Sequence, residues 1–172
     1  MQNSKKLFVR CLSILFIFNS LNIVAQDNEE AVEEVVVTGS YIKGSPTDGA
    51  SPVEIIGRDE IDNLNATTIA DITANLAVNS GSENNPDSFT QGATQGTSNV
   101  NLRGLGLSST LVLVDGKRQT LAGSTANDGS VFVNTSGIPV IALDRVEVLK
   151  EGAASVYGSD AVAGVVNYIL RK

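Results

Sequence analysis

The chain has 172 residues, a formal net charge of −7 and a hydrophobic fraction of 42%, which is enough for one domain with a hydrophobic core. It contains no histidine, so zinc sites with histidine ligands and Ser–His–Asp triads are excluded. The acidic balance also leaves no basic surface for contacts with nucleic-acid phosphates. The composition therefore argues against nucleic-acid binding and against the histidine-dependent classes of enzyme.

Residues 1–25 have the three-part pattern of an export signal. Two lysines and an arginine form a positively charged start, and the mostly apolar stretch Cys11–Val24 follows. That stretch is shorter than the about 20 apolar residues of a transmembrane helix, and the small residue Ala25 after it suits cleavage. We predict that residues 1–25 are removed, with an uncleaved N-terminal anchor as the alternative.

Residues 26–51 have the composition of a flexible arm, because acidic residues open the segment and glycine and proline punctuate its end. Within this arm, Val35–Thr38 consists of four consecutive β-branched residues, which favour an extended strand. An unpaired strand can add to the sheet edge of another protein. The alternative is that Val35–Thr38 forms the first strand of the domain's own sheet, and the residues alone favour neither.

Local patterns predict a strand and two helices at the start of the folded domain. Val53–Ile56 alternates apolar and polar residues and is predicted to form a half-buried strand. A short helix with Asp59 as its N-cap is predicted next. A second helix is predicted over Ala66–Ala77, capped by Thr67 or Thr68, because its apolar residues recur at helical spacing.

Two stretches, residues 79–98 and 122–136, are dominated by small and polar residues. Such stretches offer little apolar surface to a core, so both are predicted to be exposed surface loops. Between them, alternation predicts a strand over Asn99–Arg103.

The second half of the chain contains further strand signals. Thr110–Val114 is apolar at successive positions and is predicted to be a central strand covered on both faces. Asp115–Gly116 predicts a two-residue hairpin turn with positive φ at both positions, and Lys117–Leu121 the returning strand.

The last part of the chain is predicted to form two more strands and a short helix. The strands are predicted over Arg145–Leu149 and Val165–Leu170, with the helix around Ala153–Tyr157 between them. Strands and helices do not alternate regularly, so the predicted fold class is α+β, a small mixed β-sheet with short helices.

Three local patterns suggest enzyme chemistry, but their context argues against it. Gly104–Ser109 begins like a dinucleotide-binding loop, yet it lacks the third glycine and leads into a strand. Ser40–Lys43 matches S-x-x-K without the motifs that accompany it in enzymes. Asp144, Glu147 and Glu151 are better explained as a solvated or salt-bridged face of a strand. We therefore predict no catalytic residue, cofactor or metal site.

In their order along the chain, these segments resemble the N-terminal plug domain of TonB-dependent outer-membrane receptors. Six segments carry the resemblance: Glu34–Gly39 to the TonB box, Ser51–Ile56 to the first plug strand, Asn101–Gly106 and Leu111–Arg118 to the central motifs, and Asp144–Gly152 and Tyr157–Ile169 to the plug-terminal signature. Each motif is weak by itself, but six in the family's order are specific. One departure is Glu151, where the family often has Gly or Asp.

The resemblance implies two sets of site residues. The TonB box, which would bind the periplasmic domain of TonB, comprises Glu34, Val35, Val36, Val37, Thr38 and Gly39. The plug signature comprises Arg103, Gly104, Asp115, Gly116, Arg145, Glu147, Tyr157, Gly158, Gly164 and Asn167. The implied domains are a signal peptide at residues 1–25, a flexible arm with the TonB box at 26–51 and a plug domain at 52–172.

The implied function is the plug of a receptor for energy-coupled uptake of a scarce small ligand, which would be a siderophore, cobalamin, a carbohydrate or another substrate. The family's plug fills a barrel of about 22 strands, which would need roughly 200 to 240 further residues. We therefore expect a truncated or partial receptor in the outer membrane. The alternative is a free-standing plug-like binding module in the periplasm. In the receptor, the polar loops would lie at an exposed end, and of the two we favour residues 79–98 as the ligand-facing apex.

Overall fold

The computed structural model describes residues 53–84, 92 and 94–172. In this part of the chain, five strands form one sheet in the order β1-β4-β5-β2-β3. The strands are β1 (Val53–Ile56), β2 (Thr110–Val114), β3 (Lys117–Arg118), β4 (Leu143–Leu149) and β5 (Gly164–Leu170). The α-helices are α1 (Arg58–Asn63), α2 (Ile69–Asn75) and α3 (Ala154–Tyr157), and 3₁₀ turns occur at Leu107–Ser109, Val140–Ala142 and Ser159–Ala161. None of the helices in these residues is long and apolar enough to cross a membrane.

The sheet is mixed, as the α+β prediction requires. β1 pairs antiparallel with β4, β4 with β5, and β2 with β3, whereas β2 and β5 run parallel. β2 lies between β5 and β3, and it is buried on both faces as predicted. Val112 contributes to the core on one face, and Leu111 and Leu113 contribute to the core on the other.

Two hydrophobic cores hold the sheet. The larger core is built from α1, α2 and one sheet face, and its central residues are Ile61, Ile69, Ile72, Val146, Val148, Val166 and Tyr168. The smaller core covers the opposite face, where Ala153 and Ala161 beside α3 pack on Leu149 and Val165. Burial of these apolar side chains is the main stabilising contribution to such a small domain.

The helix starts confirm one predicted cap and correct the other. Thr68 caps α2, because its hydroxyl accepts from the Asp71 amide at 3.3 Å and the Asp71 carboxylate accepts from the Thr68 amide at 2.8 Å. The predicted cap at Asp59 is wrong, since α1 begins after Gly57 without a side-chain cap. Asp59 instead lies in the first turn of α1, where a carboxylate complements the helix dipole.

The Asp115–Gly116 turn has the predicted positive φ values, 47° and 73°. The strand returning from that turn is shorter than predicted, since pairing stops after Arg118. The predicted strand over Asn99–Arg103 is wrong, because this segment makes only an isolated bridge between Asn79 and Leu102.

Both polar segments are less exposed than predicted. Thr94, Ser98, Ala126, Phe132 and Thr135 are buried. Two of these residues, Ala126 and Phe132, pack with Leu107 in a third small hydrophobic cluster. The buried polar residues are hydrogen-bonded: the Thr135 hydroxyl donates to the Ser98 hydroxyl at 2.9 Å, and the Thr94 hydroxyl donates to Glu83 Oε2 at 3.1 Å. Burial is therefore tolerated, because it leaves these polar groups paired.

Candidate functional site

The structure tests the placement of one of the two predicted sets of residues. The TonB box, Glu34–Gly39, lies outside the described residues. All members of the predicted plug signature lie inside them and fall into two groups. One group joins β4, β5 and the β2–β3 turn, and the other surrounds the turn between α3 and β5.

The β2–β3 turn is fixed to β5 by side-chain and backbone hydrogen bonds. Asp115 Oδ1 accepts from the Leu170 amide at 2.9 Å, and the Asp115 amide donates to the Tyr168 carbonyl at 3.0 Å. The Gly116 amide donates to Asn167 Oδ1 at 3.0 Å. Three of the predicted residues therefore act together, although Asn167 lies 51 residues from Gly116.

Glu147 is fully buried on the face that carries the smaller core, and its charge is compensated there. Arg145 Nε donates to Glu147 Oε1 at 3.0 Å, and Asn167 Nδ2 donates to Glu147 Oε2 at 3.4 Å. Arg145 also pairs with Asp144 Oδ2 at 2.9 Å. The salt-bridged alternative for this face is therefore confirmed, and the solvated one is wrong for Glu147. A buried carboxylate without such partners would be strongly unfavourable.

Gly164 is required by the close approach of the chain at the start of β5. Its φ is +143°, and a Cβ built on it would lie 2.3 Å from the Leu149 carbonyl oxygen and 2.8 Å from Leu102 Cδ1. No side chain fits in that space without moving β4. Gly158, with a φ of +89°, is the N-cap of the 3₁₀ turn Ser159–Ala161, which precedes β5.

Arg103 and Gly104 form a turn with positive φ at both positions, 59° and 66°. The Arg103 guanidinium donates from Nη2 to the carbonyls of Ala163, at 3.0 Å, and Val162, at 3.3 Å. This side chain therefore connects the segment before β2 to the start of β5.

Arg118 was missed as a site residue, although it ends one of the matched motifs. Its Nη1 lies 2.6 Å from Asp160 Oδ2, and its Nη2 donates to the Tyr157 carbonyl. The guanidinium holds the pKa of the Asp160 carboxyl below its ordinary value. The contact ties β3 to the turn after α3. No local pattern predicts it, because the partners are 42 residues apart.

Together, the signature residues and Arg118 organise the sheet and its turns. Among the described residues, no group of three or more His, Cys, Asp and Glu side chains could hold a metal ion. The arrangement supports a domain whose strands and turns are joined by polar contacts, among which the contact between Glu147 and Asn167 is buried.

Comparison with known proteins identifies the family to which this architecture belongs. The family model described as the TonB-dependent receptor plug domain matches residues 45–165, which is more than half of the chain. A curated relative, the iron-regulated outer membrane virulence protein of Vibrio cholerae serotype O1, is 29% identical over 154 residues. That match covers 89% of this chain and 22% of the relative, so the chain spans less than a quarter of the relative's length.

Solved structures of receptors are also similar to this chain. The siderophore receptor PirA from Acinetobacter baumannii matches with 27% identity and a TM-score of 0.51, over 70% of this chain and 17% of that one. A variant of the ferric enterobactin receptor PfeA from Pseudomonas aeruginosa matches with 26% identity and a TM-score of 0.55, over 72% of this chain and 18% of that one.

Proposed function

Since the chain belongs to the TonB-dependent receptor plug domain family, we propose that it is the plug portion of an outer-membrane receptor for energy-coupled uptake of a scarce ligand. The observation that carries the proposal is the family match over residues 45–165. The mixed sheet and the contacts among the signature residues support it, because they show that this part of the chain has the fold that the match implies. The function proposed is transport, and no enzymatic step is assigned to any residue.

The proposed energy-coupling partner is the periplasmic domain of TonB, bound by Glu34–Gly39. Four consecutive β-branched residues within this segment suit strand addition, in which backbone hydrogen bonds supply the affinity. The segment lies before β1 in the sequence, so strand addition to a partner would not use residues of the described sheet.

The second proposed partner is an outer-membrane barrel of about 22 strands that encloses the plug. The chain spans 22% of the curated relative, so transport by the whole receptor would need the part of the protein that this match does not cover. The proposed location is accordingly the outer membrane, in keeping with the relative's description as an outer membrane protein.

For the ligand, we propose an iron-carrying siderophore as the first class to test. The relatives are described as iron-regulated, as a siderophore receptor and as a ferric enterobactin receptor. Disruption of the gene in its native host should abolish growth on ferric siderophores as the sole iron source. Unchanged growth on every ferric siderophore tested would contradict this ligand class.

The proposed coupling to TonB is tested by titrating the purified chain with the TonB periplasmic domain in a calorimeter. We expect saturable binding at one TonB domain per chain. The matched control replaces residues 34–39 with alternating glycine and serine, which should remove binding and leave the circular dichroism spectrum unchanged. Absence of binding by the parent chain would overturn the proposal.

A further inference from the structure

The two polar segments, residues 79–98 and 122–136, meet at the carboxylate of Glu83. Glu83 Oε1 accepts from the Asn127 backbone amide at 3.0 Å, and Oε2 lies 3.3 Å from the same amide. Glu83 Oε2 also accepts from the Thr94 hydroxyl at 3.1 Å. One half-buried side chain therefore contacts its own segment at Thr94 and the other segment at Asn127.

The position of Glu83 is itself fixed by a buried asparagine. The Glu83 amide donates to Asn99 Oδ1 at 2.9 Å, and the Glu83 carbonyl accepts from Asn99 Nδ2 at 3.4 Å. Asn99 is only 1% exposed, and its own amide donates to Asn84 Oδ1 at 2.6 Å. The Asn99 side chain thus pairs with the Glu83 backbone as a neighbouring strand would, and it holds the carboxylate toward Asn127.

The composition of the two segments limits which groups can pair with the Glu83 carboxylate. Residues 79–98 and 122–136 contain no lysine or arginine. Neither segment can therefore supply a cation to Glu83, and its carboxylate accepts from the Thr94 hydroxyl and the Asn127 backbone amide. Hydrogen bonds to an ionised acceptor are roughly twice as strong as those between neutral groups.

The second segment is tied to the first at two levels. At its base, the Thr135 amide donates to the Ser98 carbonyl at 2.8 Å. At its tip, the Asn127 amide is held by Glu83, and the turn is closed by the Gly129 amide, which donates to the Ala126 carbonyl at 2.9 Å. Loss of the Glu83 carboxylate would leave the base in place and would remove from the tip its contact with the first segment at Glu83.

We propose that Glu83 is a positioning residue that couples the two polar segments into one surface. Its contacts fix the tip of residues 122–136 relative to residues 79–84 and 94–98. That this surface faces the ligand rests on the proposed receptor function, whereas the coupling itself rests on the Glu83 contacts.

The test measures the distance between spin labels on the two segments. Labels are placed at the exposed positions Gln95 and Thr125, each changed to cysteine in a Cys11→Ser background. We expect one narrow distance distribution in the otherwise unchanged chain and a distribution at least about twofold broader in Glu83→Ala, since loop tips are the more mobile where a tie to the neighbouring segment is lost. The matched control is Asp128→Asn, because Asp128 Oδ1 accepts from the amide and hydroxyl of Ser130 within the same turn. This control should keep the narrow distribution.

A distribution in Glu83→Ala as narrow as that of the parent would overturn the proposal, as would equal broadening in Asp128→Asn. If Glu83→Ala does not fold, Glu83→Gln is measured by hydrogen exchange at the Asn127 amide. The exchange rate should rise at least about threefold, because a neutral acceptor replaces an ionised one. An unchanged rate would overturn the proposal. TonB binding should be unaffected by either substitution, so a failure of the receptor proposal is distinguishable from a failure of the coupling.

Discussion

Glu147 on β4 and Asn167 on β5 lie directly opposite each other, and the Asn167 amide nitrogen is 3.4 Å from the Glu147 carboxylate. Both side chains are fully buried. Asn167 also accepts from the Gly116 amide, so one asparagine connects the buried carboxylate to the β2–β3 turn. Two polar side chains therefore join β4 and β5 to the β2–β3 turn.

Glu147→Ala should destabilise the domain by about 3 kcal/mol, because it leaves Arg145 partly buried without its Glu147 partner. Urea unfolding followed by circular dichroism measures the loss. The control is Asp144→Asn, which removes the more exposed partner of the same arginine and should cost less than about 1 kcal/mol. Equal losses in the two variants would show that Arg145 does not depend on the buried pair.

Gly164→Ala should destabilise the domain by more than about 4 kcal/mol, because the added Cβ clashes with the Leu149 backbone. The control is Gly123→Ala, where a Cβ meets no atom within 4 Å. Thermal unfolding compares the two variants. A melting temperature of Gly164→Ala within a few degrees of the control would mean that β4 and β5 can separate locally at little cost.

Tyr168→Phe should leave stability at pH 7 within about 1 kcal/mol of the parent, or raise it, because the buried hydroxyl has no hydrogen-bond partner among the described residues. Burial raises the pKa of the Tyr168 phenol. The unfolded phenol ionises near its ordinary pKa of about 10, so the folded state holds more protons above that pH and the parent loses stability as pH rises further. Urea unfolding at pH 7 and pH 11 should show a smaller loss in Tyr168→Phe. An equal loss in both proteins would contradict this account.

Asp71→Ala should cost about 1 kcal/mol at pH 7, because it removes half of the capping box at the start of α2. Hydrogen bonds from the Thr68 and Thr67 amides lower the pKa of the Asp71 carboxyl. The stabilisation is therefore present above the unfolded pKa of about 4 and is lost as pH falls through the lower folded value. Urea unfolding at pH 7 and pH 2 should show the difference between parent and variant shrinking in acid. A difference that stays constant would exclude the ionised cap as its cause.

The sequence predicted the elements whose signals are local. Val53–Ile56 and Thr110–Val114 have strand patterns, and Asp115–Gly116 has turn chemistry that needs no distant partner. The polar segments were predicted poorly, because their burial depends on partners far along the chain. Ser98 is hydrogen-bonded to Thr135, which lies 37 residues away, and composition alone does not predict such a pair.

The same difference between local patterns and contacts of distant residues applies to the candidate site. The signature residues were found through motif order, but their contacts were not. Glu147 could be assigned to a strand face from its alternation, whereas its burial follows from the pairing of β4 with β5. The contact between Arg118 and Asp160 depends on how β3 meets the turn after α3, which no short pattern encodes.

The TonB box remains a prediction, and it carries the central claim that the chain couples to TonB. Titration of the exported chain with the TonB periplasmic domain, followed through the amide signals of residues 34–39, tests it most directly. Val36→Pro should bind at least about tenfold more weakly, because proline removes a backbone donor and fits poorly in a paired strand. Val36→Ala should bind within about threefold of the parent, because only strand propensity and a little packing are lost. Both variants should keep the parent's melting temperature. Parent-like binding by Val36→Pro, or unfolding of the domain by that change, would contradict the account and return Val35–Thr38 to the role of an internal strand.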